Sequence, residues 1–303
     1  MKKNRLGTSD LYVSEVGLGA MSLPENEKDV TYLVDKALDQ GINFIDTADL
    51  YYLGRNETTI GKALKGKRDQ VILATKVGNH WEEGKEGWFW DPSKAYIKDA
   101  VKQSLRRLNV DYIDLYQLHG GTLDDPIDET IEAFEELKAE GVIRYYGISS
   151  IRPNVIREYI KKSSIVSVMM QYSILDRRPE ETVLDLLHEH QISVIARGPV
   201  AKGLLSDHGL TKVSDQGYLD YSKEDLATII TQLKKDVAKE RSLSELAIRY
   251  VLTHPAVAVA IPGASKESQL LANIHASEFP SLTSEEIKAI QQITKANVYA
   301  AHR

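Results

Sequence analysis

Residues 44–57, with the sequence FIDTADLYYLGRNE, contain the first candidate for chemistry in this chain. Phe44 and Ile45 are typical of the end of a buried strand, and Asp46 follows them directly. A carboxylate at the rim of an apolar core needs a cation or several hydrogen-bond donors, because burial of an unpaired charge is too unfavourable. A lone Asp in this place most often caps the following turn. A catalytic interpretation of Asp46 therefore depends on matching polar residues elsewhere.

Polar side chains follow apolar runs repeatedly in the next 150 residues or so of the sequence. One such residue or pair stands directly after each of six successive apolar segments, in the order Asp46, Lys76, His119, Ser149 with Ser150, Gln171 and Arg197. A structural role would explain any one of them. Six in succession predict that they share a site, because the carboxyl ends of neighbouring parallel strands lie at one edge of a sheet.

The elements that would position these residues follow from an alternation of helical and extended patterns. The predicted strands are 16–18, 43–47, 71–75, 112–118, 142–148, 165–170, 192–196 and 257–261, and the predicted helices between them are 27–39, 56–64, 93–108, 127–139, 153–162, 179–190 and a longer region, 222–253. Eight strands, with no long Gly- or Pro-rich linker between them, predict one (β/α)8 TIM barrel spanning residues 1–303. A short N-terminal β-hairpin around residues 7–10 precedes it. Helices near Ser265 and after Thr283 extend the C-terminal end.

Composition restricts the partners and the compartment. The chain has 303 residues and a net charge of −6, from 38 basic and 44 acidic residues that are interspersed along it. This balance argues against nucleic acid or an acidic membrane as a partner. The basic start of the chain is not followed by an apolar segment, and cysteine is absent. We therefore expect a cytoplasmic protein without disulfides or thiolate metal ligands.

The residue types at the predicted rim suggest acid–base chemistry. Lys76 is the natural partner of Asp46, since adjacent strand ends bring them within the reach of an ion pair. Tyr51, five residues after Asp46, is close enough in sequence to fold over that pair. An ammonium ion stabilises the phenolate form of a nearby phenol, which makes the phenol a better general acid near neutral pH. His119 would hold and polarise a substrate oxygen beside it.

These motifs resemble the aldo-keto reductase family. The strings FIDTADLYYLGRNE, ATKVG, DYIDLYQLH, GISS, MMQYS, GPVAKGLL and IPGAS occur in the family's order and spacing, and the resemblance extends from about Leu6 to Asn273. It implies hydride transfer from a reduced nicotinamide to an aldehyde or ketone, with no metal. Position by position, it implies Tyr51 as the proton donor, Lys76 as the cation that makes the phenol more acidic, Asp46 as the anchor of Lys76, and His119 as the residue that orients the carbonyl.

The resemblance also implies a site for NADP(H). Ser149 and Gln171 match the family's ligands of the nicotinamide carboxamide; position 150 is Ser where Asn is more usual, and Arg197 stands where many members have Tyr. Close glycines in the segment 198–205 would hold the pyrophosphate. Lys266 and the start of the following helix would favour a 2′-phosphate, so we expect NADPH to be preferred over NADH. The implied cofactor residues are Ala20, Met21, Asp46, Ser149, Ser150, Gln171, Arg197, Gly198, Val200, Gly203, Leu204, Ser265, Lys266, Gln269 and Asn273.

Two other functions are compatible with parts of this pattern. Channel-associated β subunits resemble the same family, so a slow or non-catalytic redox-sensing module that binds NADP(H) is the main alternative. A phosphate-handling barrel isomerase or aldolase would use the fold and a lysine, but it would leave Tyr51 and His119 without a role. Oligomeric state stays open.

Two loops are expected to select the small-molecule carbonyl substrate. The first, residues 79–91, contains all three tryptophans of the chain. They would form either a wall of the pocket or an anchor for the loop. The second, residues 206–221, is polar and contains glycine. It would either fold over the cofactor or form a surface connection.

Overall fold

Strands and helices alternate along the chain in the computed structural model, which describes residues 1–82 and 84–303. The strands are β1 (Lys3–Arg5), β2 (Tyr12–Ser14), β3 (Leu18–Gly19), β4 (Phe44–Asp46), β5 (Ile72–Val77), β6 (Asn79–His80), β7 (Phe89–Trp90), β8 (Ile113–Leu118), β9 (Ile143–Ser149), β10 (Ser167–Gln171), β11 (Ser193–Arg197) and β12 (Val257–Ile261). The α-helices are α1 (Glu27–Asp39), α2 (Arg55–Ala63), α3 (Lys94–Leu108), α4 (Ile127–Ala139), α5 (Pro153–Lys162), α6 (Val183–Glu189), α7 (Lys223–Gln232), α8 (Leu243–Val251), α9 (Glu267–His275) and α10 (Ser284–Ile293). Within these described ranges, no helix has the length and apolar character needed to cross a membrane.

Eight of the strands form one parallel sheet in the order β12, β11, β10, β9, β8, β5, β4, β3. Parallel bridges from Val16 to Ala260 and from Gly19 to Gly263 join the first of these strands to the last. The sheet is thereby closed, and the predicted (β/α)8 barrel is confirmed. All eight strands point their carboxyl ends to one rim, which is where this architecture places chemistry.

The barrel interior is apolar and is closed at its other end by the N-terminal hairpin. Side chains from the barrel strands form this interior cluster, and Leu6, Leu11 and Val13 of the hairpin region pack against it. Gly7 allows the close approach: its φ is +57°, and a Cβ there would overlap the carbonyl oxygen of Val166. A second, larger cluster lies between the strands and the surrounding helices. The rim is therefore the end of the barrel that remains accessible.

The longer helical region predicted over 222–253 is interrupted in the structure. Helix α7 continues through a π-helical turn, Leu233–Ala238, and the chain then breaks at Lys239, which has a φ of 55° and a ψ of −111°. Helix α8 starts afresh because Ser242 and Glu245 form a capping box: Glu245 N donates to Ser242 Oγ (3.2 Å), and Ser242 N donates to Glu245 Oε2 (2.6 Å). The S-x-x-E spacing of this box was available in the sequence.

We predict that Ser242→Ala lowers the free energy of unfolding by about 1 kcal/mol, because the first turn of α8 loses its cap. Urea denaturation followed by circular dichroism measures this loss. Ser214→Ala, at an exposed serine outside any helix, is the control and should change stability by less than about 0.5 kcal/mol. Equal effects of the two substitutions would contradict the capping role of Ser242.

Candidate active site

A buried ion pair lies at the centre of the rim. Lys76 of β5 donates from Nζ to Asp46 Oδ2 of β4 at 2.7 Å, and its side chain and that of Asp46 are 0% and 3% exposed. Strands β4 and β5 are direct neighbours with Asp46 opposite Ala74, which brings the two side chains together. Asp46 therefore does not cap the following turn. Its carboxylate is the counterion of a buried lysine.

Lys76 has two further acceptors. Its Nζ donates to the carbonyl oxygen of Thr47 at 2.7 Å and to the hydroxyl oxygen of Tyr51 at 3.1 Å. An ammonium group has three hydrogens, so each is used once. Because the Tyr51 hydroxyl accepts from Lys76, its own hydrogen is available for another acceptor. Burial lowers the pKa of Lys76, but attraction to Asp46 and then to Tyr51 outweighs this effect and leaves the pKa raised. Lys76 is therefore a cation at neutral pH.

Gln117 completes the first layer around Asp46 and was missed by the sequence reasoning. Its Nε2 donates to Asp46 Oδ1 at 3.3 Å, so both carboxylate oxygens have a donor. Gln117 lies opposite Lys76 in the β5–β8 register. The signal was present: Gln117 stands two residues before His119, and residues at that spacing on a strand face the same side.

His119 lies beside the phenol. Its ring is edge-on to the Tyr51 ring, with 5.9 Å between the centroids, and its Nδ1 is buried without a hydrogen-bond partner among the described residues. Burial, followed by repulsion from Lys76 and Arg197, lowers the pKa of His119 to about 3. The imidazole is therefore neutral over the physiological pH range, and it can donate one hydrogen bond without carrying a charge.

A cavity of about 680 Å³ opens at this point of the rim. Seven of the predicted site residues line it. They come from the ends of different strands, as the sequence predicted, and they are accompanied by apolar and glycine residues. The lining residues are Met21, Leu50, Tyr51, Tyr52, Lys76, His119, Gly120, Gly121, Ser149, Ser150, Ile151, Arg152, Met169 and Arg197.

On the far side of the barrel, Gln171 is held by three partners. Its Nε2 donates to Asp176 Oδ2 and to the hydroxyl of Tyr218, both at 2.9 Å, and its Oε1 accepts from Arg197 Nη1 at 3.1 Å. Both amide hydrogens are used, so Gln171 can offer a ligand only an acceptor. Tyr218 belongs to the 206–221 loop and is buried. That loop therefore supports the rim from the side.

The segment 198–205, predicted to hold the pyrophosphate, uses several of its backbone N–H groups internally. Those of Ala201, Gly203, Leu204 and Leu205 donate to carbonyl oxygens within the segment. Gly203 has a φ of 85°, which favours glycine, and its open Cα side is occupied by the end of the Lys212 side chain. The predicted Val200 and Gly198 belong to the same segment, and none of its residues lines the cavity described above.

The last predicted group lies across the barrel closure, next to the end of β3. Gly263 is bridged to Gly19, which places the segment 263–273 beside Ala20. Gln269 Oε1 accepts from both the backbone N (2.8 Å) and the Oγ (3.0 Å) of Ser265. Asn273 Nδ2 donates to the Gly263 carbonyl oxygen at 3.2 Å. Lys266, directly before α9, is exposed. Lys266 is therefore the cation that this group presents.

Two polar residues at the end of the segment 44–57, Asn56 and Glu57, hold this segment in place. Asn56 accepts from the Thr47 hydroxyl at 2.6 Å and donates to the Ala20 carbonyl oxygen at 2.9 Å, which ties β4 to the end of β3. Glu57 is fully buried, where it accepts from Thr75 Oγ1 (2.6 Å) and Arg107 Nε (2.7 Å). Sequence reasoning assigned no role to Asn56 or Glu57. Their polarity on a predicted amphipathic helix gave no indication of burial.

Between these parts, the turn that carries Tyr51 is left-handed. Tyr52 and Leu53 both have a φ of 51°, and Gly54 has a φ of 81°. A positive φ is unfavourable for residues with a side chain, so Tyr52 and Leu53 hold a conformation that glycine adopts more readily. The Tyr52 side chain is 42% exposed and lines the cavity. The turn therefore presents a second aromatic ring at the cavity wall.

The loop 79–91 is anchored by its aromatic residues. Trp90 Nε1 donates to Asp125 Oδ1 at 3.0 Å, and Trp81 lies under the guanidinium of Arg107 at 5.5 Å. Trp88 is 55% exposed. Glu83 of this loop lies outside the described residues, and the side chains that line the cavity within the described ranges include none of the three tryptophans. Trp81 and Trp90 therefore anchor the loop, whereas Trp88 neither lines the cavity nor is buried.

Comparison with known proteins identifies the family. The family model "Aldo/keto reductase family" matches residues 15–295. The chain belongs to the aldo/keto reductase family. It is accordingly an oxidoreductase of a family that uses a nicotinamide cofactor.

Several members of the family are similar to the chain over its whole length. It is 61% identical over 307 residues to "Uncharacterized oxidoreductase YqkF" of Bacillus subtilis, covering 100% of both chains. The solved structure of aldo-keto reductase AKR11C1 from Bacillus halodurans, in its holo form, superimposes with a TM-score of 0.95 and 61% identity, covering 100% of this chain and 99% of that one. A more distant relative, 31% identical over 319 residues and covering 96% of this chain and 94% of its own, is the "NADH-specific methylglyoxal reductase" of Escherichia coli.

The residues at the rim fit a nicotinamide cofactor. A carboxamide needs both donors and acceptors, and Ser149, Ser150 and the remaining lone pair of Gln171 Oε1 supply them. Ser149 and Ser150 line the cavity together with Tyr51 and Lys76, so a nicotinamide there would lie near the phenol. This donor set fits a carboxamide at this face of the aldo/keto reductase barrel.

We predict that the neutral state of His119 makes stability depend on pH. In the unfolded chain His119 is protonated below its ordinary pKa of 6.5, whereas in the folded chain it stays neutral down to about pH 3. The contribution of His119 to the free energy of unfolding is therefore complete above pH 6.5 and is lost as the pH falls towards 3. Between pH 7.5 and pH 5 the loss amounts to about 2 kcal/mol.

The measurement is urea unfolding at several pH values for wild type, His119→Gln and His208→Gln. The first substitution should flatten the decline in unfolding free energy between pH 7.5 and 5 by about 2 kcal/mol. The second, at an exposed histidine, should leave it as in wild type. A decline that is identical in all three proteins would show that His119 is not held neutral.

Proposed function

We propose that this aldo/keto reductase reduces an aldehyde or ketone to the alcohol, with NADPH as the hydride donor and Tyr51 as the general acid. The observation that carries the proposal is the use of all three Lys76 hydrogens by Asp46, Thr47 and Tyr51. This arrangement fixes the phenol against a cation and leaves the phenol's own proton to be donated. Tyr51 also lines the cavity, where a carbonyl oxygen could accept that proton.

Each residue then has a distinct part in the reaction. The bound cofactor supplies the hydride for the carbonyl carbon. Tyr51 gives its proton to the carbonyl oxygen, and Lys76 stabilises the negative charge that remains on the phenol. Asp46 and Gln117 keep Lys76 in place, since a buried ammonium without its counterion would be strongly destabilised. These roles require no movement of the ion pair during the reaction.

His119 would orient the carbonyl. A neutral imidazole can donate to the carbonyl oxygen from Nε2 without competing with Tyr51 for the proton, because its low pKa makes it a poor base. Its edge-on contact with the Tyr51 ring keeps the two donors on the same side of the cavity. Two donors converging on one oxygen would select a reactive orientation of the substrate.

Support for NADPH over NADH rests on Lys266. It is an exposed cation at the start of α9, where a helix N-terminus also favours an anion. The Ser265 N–H that would assist is occupied by Gln269, and Glu267 of the first turn carries the opposite charge. One relative is named as NADH-specific. The preference therefore depends mainly on one side chain, which makes it directly testable.

We predict that Tyr51→Phe lowers kcat by at least about 100-fold, because general acid catalysis is lost, while cofactor affinity is retained. Turnover is followed by NADPH absorbance with a panel of aldehydes and ketones that includes 4-nitrobenzaldehyde, and binding by NADPH fluorescence. Tyr12→Phe, an exposed tyrosine on the N-terminal hairpin, is the control for the loss of a phenol hydroxyl. It should behave as wild type.

The outcomes separate the two functions. Unchanged turnover in Tyr51→Phe would remove Tyr51 as the acid. A wild-type protein that binds cofactor tightly but reduces no carbonyl of a broad panel would instead support the redox-sensing module, and the proposed reductase activity would be wrong.

The cofactor preference predicts that NADPH binds at least about tenfold more tightly than NADH, which corresponds to about 1.4 kcal/mol. Fluorescence titration with each cofactor measures this ratio. Lys266→Met should weaken NADPH binding and leave NADH binding unchanged, because only the 2′-phosphate meets this charge. Comparable affinities of the wild-type protein for the two cofactors would overturn the preference.

A further inference from the structure

Arg197 is a cation at the catalytic cavity that the proposed reaction does not use. It is the last residue of β11, it is half-buried, and it lines the cavity together with Tyr51, Lys76 and His119. In the implied cofactor site it stands beside Ser149 and Gln171, the residues assigned to the carboxamide. Its charge is therefore directed at the nicotinamide end of the cofactor.

No carboxylate neutralises Arg197 directly among the described residues. Its side-chain hydrogen bond is to an uncharged atom, Oε1 of Gln171, at 3.1 Å. The nearest acid in this network, Asp176, is already paired with Arg178 through two bonds of 2.7 Å. The acid on the other side of the cavity, Asp46, is paired with Lys76. Among the described residues, the guanidinium therefore faces the cavity without a carboxylate bonded to it.

Arg197 is also fixed in place. Gln171 cannot rotate its amide, because its Nε2 is held by Asp176 and Tyr218. The Oε1 atom must then face Arg197. The guanidinium also affects a neighbouring group. Repulsion from Arg197 is the third cause, after burial and Lys76, of the lowered pKa of His119. The field of Arg197 therefore reaches the place where hydride transfer would occur.

The charge of a nicotinamide depends on its redox state. When the hydride leaves with two electrons for the carbonyl carbon and Tyr51 supplies the proton to the oxygen, the neutral dihydronicotinamide becomes a pyridinium cation. A fixed cation beside the ring repels only the oxidised form. Two unit charges a few ångströms apart at an effective dielectric constant of about 20 interact strongly enough to change an affinity by roughly tenfold or more.

We propose that Arg197 makes this site bind the reduced cofactor more tightly than the oxidised one. This inference rests on the proposed function, because it places a nicotinamide at the cavity. After each carbonyl reduction, the positive charge on the nicotinamide ring would lower the affinity of the site for the oxidised cofactor. This lower affinity favours release of the oxidised cofactor and reduces product inhibition. Arg197 thus discriminates between the two redox states of the same molecule.

The test compares affinities within one cofactor pair. Isothermal titration gives the Kd of NADP⁺ and of NADPH for wild type, Arg197→Gln and Arg197→Lys. We expect the ratio Kd(NADP⁺)/Kd(NADPH) to be at least about ten in wild type, to fall about tenfold in Arg197→Gln, and to stay within about threefold of wild type in Arg197→Lys. The ratio can equally be taken for NAD⁺ and NADH, so it does not depend on which pair is preferred.

A ligand without the nicotinamide provides the control. The affinity for 2′,5′-ADP should be the same in all three proteins, because this molecule lacks the group whose charge changes. A ratio near one in wild type overturns the inference without any variant, so the test survives if Arg197→Gln does not fold. An unchanged ratio in a folded Arg197→Gln protein also overturns it and leaves the proposed reductase intact. Failure of the wild type to bind any nicotinamide cofactor would instead overturn the proposed function.

Discussion

The buried pair of Lys76 and Asp46 is the constraint on which the rest of the rim depends. Two charges removed from water are stable only when every donor and acceptor is matched, and a missing partner is strongly destabilising. The surroundings meet this demand: Thr47 and Tyr51 accept the other hydrogens of Lys76, and Gln117 donates to Asp46. The same hydrogen bonds that keep the pair stable also fix the phenol. Stability and catalytic geometry therefore come from one set of contacts.

The charges around the cavity are arranged in two ways. On one side, Lys76 is paired with Asp46 and donates to Tyr51. On the other, Arg197 meets an amide oxygen instead of a carboxylate and acts through its unbalanced charge. His119 stays neutral because burial, and then repulsion from Lys76 and Arg197, lower its pKa. The cavity wall thus carries one cation that is paired with a carboxylate and one that is bonded to an amide oxygen.

Much of this could be predicted from the sequence, because it depends on local pattern. Strand 257–261 and helices 27–39, 127–139 and 153–162 have the predicted bounds, and polar residues directly after strands identified the rim. Contacts between distant residues could not be predicted. Gln117, Asn56 and the saturation of Gln171 by Asp176 and Tyr218 depend on which side chains meet in space. The break at Lys239 was missed although the Ser242 capping box was legible, because the apolar spacing runs across it.

The closure of the barrel has a consequence for how the site comes into existence. Gly19 and Gly263 lie at opposite ends of the chain, and their bridge is one of only two that join the first barrel strand to the last within the described residues. The segment with Lys266 reaches Ala20 only when this seam forms. A chain still being synthesised already contains Tyr51, Lys76 and His119, but it lacks the segment with Lys266 until β12 has been added. A ligand that contacts both Ala20 and Lys266 would therefore bind only the complete barrel and would stabilise this junction.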